Sequence, residues 1–170
     1  MELFLKNLKG GNILDLGSGP GRDALFFKER GFNPVCVDIS SKMVKVCRSK
    51  GLDACLMDIE NLGFANSSFD GIWAYASLLH LPKRNMPQVF HNLNCILKDN
   101  GFLFIGMKEG DYQGYIPNQL VPIYSKFMAM YYDAELKNLL ESNFEIMNFS
   151  RSKIDEHSVY LNYLCKKLSS

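Results

Sequence analysis

Short apolar blocks of two kinds follow one another along this chain. Runs of three to five apolar residues bounded by Gly, Pro, Asn or Asp read as buried strands, and longer stretches with apolar residues three and four apart read as amphipathic helices. A short amphipathic piece over residues 2 to 9, with Leu3, Phe4 and Leu8 on one side, turns at Gly10-Gly11 into a first strand containing Ile13, Leu14 and Leu16. A helix follows, with Ala24, Leu25, Phe26 and Phe27 amid charged neighbours and Gly31 as its stop. Asn33-Pro34 opens a second strand, Val35 to Val37, ending at Asp38; Ser40 or Ser41 then caps a helix with Met43, Val44, Val46 and Cys47, stopped by Gly51. Ala54 to Met57 and Phe69 to Ala74 read as the third and fourth strands. Pro87 begins a helix with Val89, Phe90, Leu93, Ile96 and Leu97, which Asp99-Asn100-Gly101 ends before a fifth strand, Phe102 to Ile105. From Gly106 to Tyr132 the periodicity stops and an irregular insertion is expected. Asp133 caps a last helix carrying Leu136, Leu139 and Leu140, and Phe144 to Phe149 and Val159 to Leu164 close the chain as two strands.

This alternation predicts an α/β fold, a doubly wound Rossmann-like sheet of roughly seven strands with helices on both faces. At 170 residues and 47% hydrophobic, the whole of 1–170 reads as a single domain with a substantial core. Lys+Arg 19 against Asp+Glu 18 leaves a net charge of +1 with no basic block, which disfavours nucleic acid as a partner without excluding RNA. The five cysteines form no CxxC pair and three fall in apolar segments, so they read as reduced core residues of a cytoplasmic protein. No run approaches the ~18 apolar residues of a membrane span, and no HExxH or other metal spacing occurs, so neither membrane nor metal is expected.

The first strand carries the chemistry. Residues Asn12 to Asp23 read NILDLGSGPGRD, with glycines at 17, 19 and 21 between a strand and a helix N-terminus, where the backbone can approach a ligand closely. A dinucleotide fingerprint counted from Gly17 would place its third glycine where Arg22 stands. An acidic residue at the strand's end, Asp15, suits a ligand with an ammonium group better than a bare pyrophosphate. Asp15-Leu16-Gly17-Ser18-Gly19-Pro20-Gly21 resembles the first motif of class I S-adenosylmethionine-dependent methyltransferases. The resemblance implies that the cofactor is S-adenosyl-L-methionine, that the loop holds its methionine moiety, and that the last strand runs antiparallel between its two neighbours. Asp38 lies 17 positions after Gly21, near the ~20 at which an acidic residue meets a ribose. By the same resemblance Asp58 faces the adenine amino group, Ile59 packs on the ring, and Ser18, Ile39, Met43 and Ala74 complete the cofactor site. Tyr75 to Pro82 resembles the family's fourth motif, beside the transferable methyl group. The runs GRDALFF and ASLLHLP are similar to small bacterial-type methyltransferases of undefined substrate.

Displacement at an activated methyl carbon chiefly needs alignment, and positioning alone can contribute ~7 to 11 kcal/mol. A general base is therefore optional. His80 is the candidate for one, with a structural role at the Leu81-Pro82 turn as its alternative, and Tyr75 joins it as the second candidate catalytic residue. His91 and His157 have no motif around them. The D/N-P-P-Y/F signature of many amino-methylating enzymes is replaced by Ala74-Tyr75-Ala76-Ser77, and no Pro-Cys nucleophile is present. The leading expectation is methyl transfer to a small-molecule acceptor; a protein or RNA methyltransferase, a non-catalytic partner subunit and a nucleotide-dependent oxidoreductase are the alternatives. The intact Asp15, glycines and Asp38 argue against the partner subunit, and Arg22 argues against the oxidoreductase. Little chain precedes Asn12, so Lys108 to Tyr132 is expected to cover the acceptor, with Tyr112, Tyr115, Tyr124 and Tyr131 lining a pocket with Tyr75 and His80. The competing expectation is that these residues pack on the sheet or form a homodimer contact.

Overall fold

A computed structural model describes residues 1–117, 125–156 and 158–168. Five helices, α1 (Glu2–Asn7), α2 (Arg22–Lys28), α3 (Ser41–Ser49), α4 (Met86–Ile96) and α5 (Asp133–Glu141), alternate with strands β1 (Asn12–Leu16), β2 (Asn33–Asp38), β3 (Asp53–Leu56), β4 (Phe69–Tyr75) and β5 (Leu97–Lys108). Beyond β5 come β6 (Gln113–Pro117), β7 (Ser125–Ala129), β8 (Phe144–Asp155) and β9 (Ser158–Lys167). Seven strands form one sheet in the order β3-β2-β1-β4-β5-β9-β8, and β6 and β7 pair separately. Neighbours from β3 to β5 run parallel, whereas β9 is antiparallel to both β5 and β8. The antiparallel last strand thus sits between its neighbours as the family resemblance implies.

Strand order reverses between β1 and β4, so the loops leaving these two strands diverge and open a crevice at their carboxyl ends. Alternate residues of each strand feed opposite layers. On one face Ile72, Ala74, Leu103 and Ile105 pack with Val89, Phe90 and Leu93 of α4 and Leu136 and Leu140 of α5. On the other, Ile13, Trp73 and Phe102 pack with Phe4 of α1 and Phe27 of α2, while α3 adds Val44 and Cys47 against Cys36 and Ala54. Helix α1 is seated over Gly71, where an added Cβ would lie 2.6 Å from Phe4 and 2.9 Å from Leu8. Being only 6 residues long, it covers β4 near its start and leaves the α1-side face of β5, β9 and β8 open farther along.

Three local expectations are corrected. The stretch Asp99-Asn100-Gly101 does not end a helix: α4 stops at Ile96, and β5 begins at Leu97 and passes through Asn100 at φ +61°, beside a register shift opposite Phe69 and Gly71. Asp133 is the first residue of α5 and Tyr132 its N-cap; the Asp133 carboxylate instead accepts a short hydrogen bond from the Tyr163 hydroxyl. The described part of the segment after β5 is not irregular, because β6 and β7 pair antiparallel with Tyr115 opposite Phe127.

Candidate active site

The glycine loop and the exit of β4 press against each other. Gly17 has φ +72°, and an added Cβ would sit 2.4 Å from the Ser77 Cβ, so the approach tolerates no side chain there. The loop is tied to β2, since the N–H groups of Gly17 and Ser18 both donate to the Val37 carbonyl at 2.8 and 3.0 Å. Gly21 is turned away, its Cβ position 2.6 Å from Leu52 and 3.0 Å from the Cys47 sulfur, and so serves the packing of α2 on α3. Gly19 has nothing within 4 Å of its Cβ position and faces open space. The loop therefore offers bare backbone to a ligand at Gly19.

Two cavities meet over this loop, sharing Gly17 and Ala76. The first, about 350 Å³, is lined by Asp38, Ile39, Asp58, Ile59, Ser77, His80 and Leu81 besides those two. Both oxygens of the Asp38 carboxylate are held, one by the Gly19 N–H at 2.9 Å and the other by the Ser40 N–H at 2.8 Å. Each keeps a second lone pair, so a vicinal diol can donate to a carboxylate already fixed in place. Ile39 is 72% exposed beside it, an apolar side chain waiting for a flat partner. Asp58 holds its own turn through the Glu60 N–H at 2.9 Å, which leaves one carboxylate oxygen unengaged by that bond.

The second cavity, about 320 Å³, is lined by Asp15, Ser18, Gly19, Pro20, Arg22, Asp23 and Tyr75 together with the shared pair. Asp15 is 3% exposed and its Oδ2 has no hydrogen-bond partner. Burial, with the neighbouring Asp23 and Asp38 adding to it against the opposing Ala24 N–H and Arg22, pushes its carboxyl up from 3.8 to about 7. Such a group favours a bound cation or a proton. The Ser77 hydroxyl, also buried and unpartnered, belongs to the first cavity, against Gly17.

The structure thus brings together Asp15, Gly17, Ser18, Gly19, Asp38, Ile39, Asp58 and Ile59. It does not bring in Ala74, which is fully buried in the main core, nor Gly21, and Met43 lines neither cavity. The residues just past β4 that line the site are Ala76 and Ser77, where the chain turns through an αL backbone at Ala76, φ +57°. The resemblance of Tyr75 to Pro82 to the family's fourth motif points to this stretch, without singling out either residue.

His80 and Tyr75 do not share a cavity. His80 lines the Asp38 side, and its Nδ1 lies 2.8 Å from the Phe127 carbonyl. A carbonyl only accepts, so Nδ1 donates and the ring anchors the β6–β7 pair. Tyr75 lines the Asp15 side and stacks between Trp73 and Tyr160, at 6.3 and 5.5 Å. Burial, partly offset by Arg22, raises its pKa, so the phenol keeps its proton at neutral pH.

The expected tyrosine wall is corrected as well. Tyr131 is fully buried in the main core with the Lys83 ammonium 4.6 Å from its ring centre. Tyr112 donates to the Tyr115 carbonyl at 2.9 Å, and neither lines either cavity. Tyr124 and His157 lie outside the described residues.

Comparison with known proteins supplies the family. Residues 13–101 match the family described as "Methyltransferase domain". The chain is 33% identical over 108 residues to a tRNA (carboxymethyluridine(34)-5-O)-methyltransferase of Arabidopsis thaliana, covering 60% of this chain and 25% of that protein. It is 32% identical over 105 residues to methyltransferase GfsG of Streptomyces halstedii, covering 56% and 37%. It therefore spans less than half the length of these relatives. A crystal structure of a SAM-dependent methyltransferase from Methanosarcina mazei superposes with a TM-score of 0.89 at 17% identity, covering 100% of this chain and 99% of that one. A Burkholderia thailandensis 1,6-didemethyltoxoflavin-N1-methyltransferase with bound S-adenosylhomocysteine superposes at 0.78, with 21% identity over 94% and 72%. From the glycine loop through the sheet order to the matched residues, the chain belongs to the methyltransferase-domain family, with the class I S-adenosylmethionine-dependent fold.

Proposed function

We propose that this protein transfers a methyl group from S-adenosylmethionine to a small-molecule acceptor by direct displacement. The observation that carries the reading is the pair of joined cavities, with a buried unpartnered carboxylate at one end and two carboxylates beside exposed isoleucine at the other. The donor, when bound, supplies a methyl group activated by its sulfonium. Asp15 fits its ammonium, Gly19 leaves room for its chain, the prefixed Asp38 carboxylate fits a ribose diol, and Asp58 with Ile39 and Ile59 fits an adenine. The acceptor's heteroatom forms the new bond to the methyl carbon, the bonding pair stays on the thioether sulfur, and the acceptor's proton leaves to solvent. The protein's share is alignment and exclusion of water, worth ~7 to 11 kcal/mol when the reacting atoms are held in line.

A small acceptor is supported over tRNA, the substrate in one relative's name, by the net charge of +1 and the absence of a basic block. His80 is read as a positioning residue that holds the β6–β7 pair through Nδ1, with Nε2 left as its acceptor nitrogen. Five free cysteines support a reducing cytoplasmic setting. The test is methyl transfer from labelled S-adenosylmethionine into metabolite, tRNA and protein pools. Label in the metabolite fraction is expected, and label confined to a macromolecular fraction would refute the acceptor class.

A further inference from the structure

A third cavity, about 440 Å³, lies on the α1 side of the sheet and meets the Asp15 cavity at Arg22, Asp23 and Tyr75. Its floor is a stack of rings: Trp73 lies on Phe104 at 4.0 Å and 10°, and on Tyr75 at 6.3 Å and 25°. The flat faces of Trp73 and Phe104 are thus already aligned, so a planar molecule adds to these two with neither ring having to reorient. Polar groups sit at one side. Asn162 on β9 is 7% exposed, its Nδ2 donates to the Ser152 hydroxyl at 2.8 Å, and its Oδ1 has no partner. Beside that oxygen Tyr75 packs over Gly106, whose Cβ position is 2.4 Å from the Tyr75 ring and 3.3 Å from Oδ1. Motion of this one ring would uncover the orphan acceptor.

Charge narrows the ligand further. Arg22 and Asp23 pair with each other at 2.8 Å, and the other Asp23 oxygen accepts from the Trp73 indole at 2.8 Å. The described side chains lining the groove therefore carry no unpaired charge. A buried acceptor without a donor is destabilising, so Asn162 is a poor choice for mere packing.

We propose that this groove is the acceptor site, and that it takes an uncharged planar aromatic or heteroaromatic molecule carrying an O–H or N–H donor for Asn162 Oδ1. The inference rests on the methyl-transfer reading above and deepens it by assigning the acceptor's class and place. The groove holds Trp73, the one tryptophan of the chain, so its fluorescence reports the site directly. Titration with para-nitroaniline, which is neutral, planar, an N–H donor and an indole quencher, should quench Trp73 saturably and more tightly when S-adenosylhomocysteine is present. Asn162→Leu should weaken that binding about tenfold, the loss of one buried hydrogen bond, with little change in thermal stability, because removal of the orphan oxygen offsets the lost Nδ2 bond to Ser152. Phe104→Leu should weaken it roughly threefold to tenfold through the lost ring stack. Absent or non-saturable quenching, with S-adenosylhomocysteine still bound by calorimetry, overturns the acceptor site and leaves the donor reading standing; failure of both ligands overturns both readings. Saturable quenching that neither variant changes would also overturn it. So would a tryptophan emission shift that follows protein concentration together with dimers in sedimentation, since a second copy would then fill the groove.

Discussion

Replacing Asp15 by asparagine separates the cost of the donor site from its use. The wild-type carboxyl is 3% exposed, accepts one N–H from Ala24, faces Asp23 and Asp38, and is raised from 3.8 to about 7. Folding therefore takes up a proton at Asp15 between pH 4 and pH 7, so the protein loses stability as pH rises through that window and levels off above it. At ~1.4 kcal/mol per tenfold change in proton affinity, the ionised group costs ~4 kcal/mol at pH 8.5. The new amide needs an acceptor for its own N–H groups and takes back ~1 to 2 kcal/mol. Asp15→Asn should accordingly be ~2 to 3 kcal/mol more stable than wild type at pH 8.5, a rise of roughly 5 to 10 °C in Tm for a chain of this size. At pH 4 the difference should reverse to a deficit of about 1 kcal/mol, since the folded wild type then holds its proton while the variant still carries the cost of its amide. S-adenosylhomocysteine should bind the variant about tenfold or more weakly at pH 8, having lost the charge opposite its ammonium. Thermal melts at the two pH values and calorimetry provide the check. Equal Tm differences at both pH values, or a variant less stable than wild type at pH 8.5, would refute the reasoning.

Other expectations follow from single contacts. Gly17→Ala meets both a φ of +72° and Ser77 at 2.4 Å, so it should cost upwards of ~2 kcal/mol and abolish S-adenosylhomocysteine binding in whatever fraction folds. Tyr163→Phe removes the donor to the Asp133 carboxylate and should lower stability by ~1 to 3 kcal/mol in denaturant melts while leaving donor affinity unchanged. His80→Asn keeps a donor near the Nδ1 position; slow amide exchange in β7 and methyl transfer within about threefold of wild type are expected, whereas a loss of ~100-fold or more would mark His80 as a general base.

The parallel half of the fold was legible because buried parallel strands are continuous apolar runs separated by helices with clear stops, as at Gly31 and Gly51. Asp15, Gly17, Gly19 and Asp38 were legible for the same reason: their spacing is local to one strand-loop-helix unit and its successor. The β6–β7 pair was not, because Gln113–Pro117 and Ser125–Ala129 alternate only weakly and gain their register from each other. Tyr131 looked like a binding-wall tyrosine and proved to be core, since an aromatic residue after a turn has the same sequence pattern in either place. Ser77 fell within the fourth-motif stretch without being singled out, and Asn162 stood in no motif; their importance is that burial leaves Ser77 Oγ and Asn162 Oδ1 without partners, a property of the assembled sheet. Asn162 in particular reaches the groove only because β9 inserts antiparallel between β5 and β8, pairing it with Gly106 on one side and Ser150 on the other.

The central claim is that the two joined cavities hold S-adenosylmethionine with its ribose on Asp38. Calorimetric titration of S-adenosylhomocysteine into wild type and Asp38→Ala, each first shown to be folded, tests it most directly. One-to-one binding is expected for wild type, and the variant should be weaker by ~1.5 to 3 kcal/mol, roughly 10- to 150-fold, for the loss of hydrogen bonds to a charged group. No binding by wild type, or equal affinity in the two proteins, would contradict it.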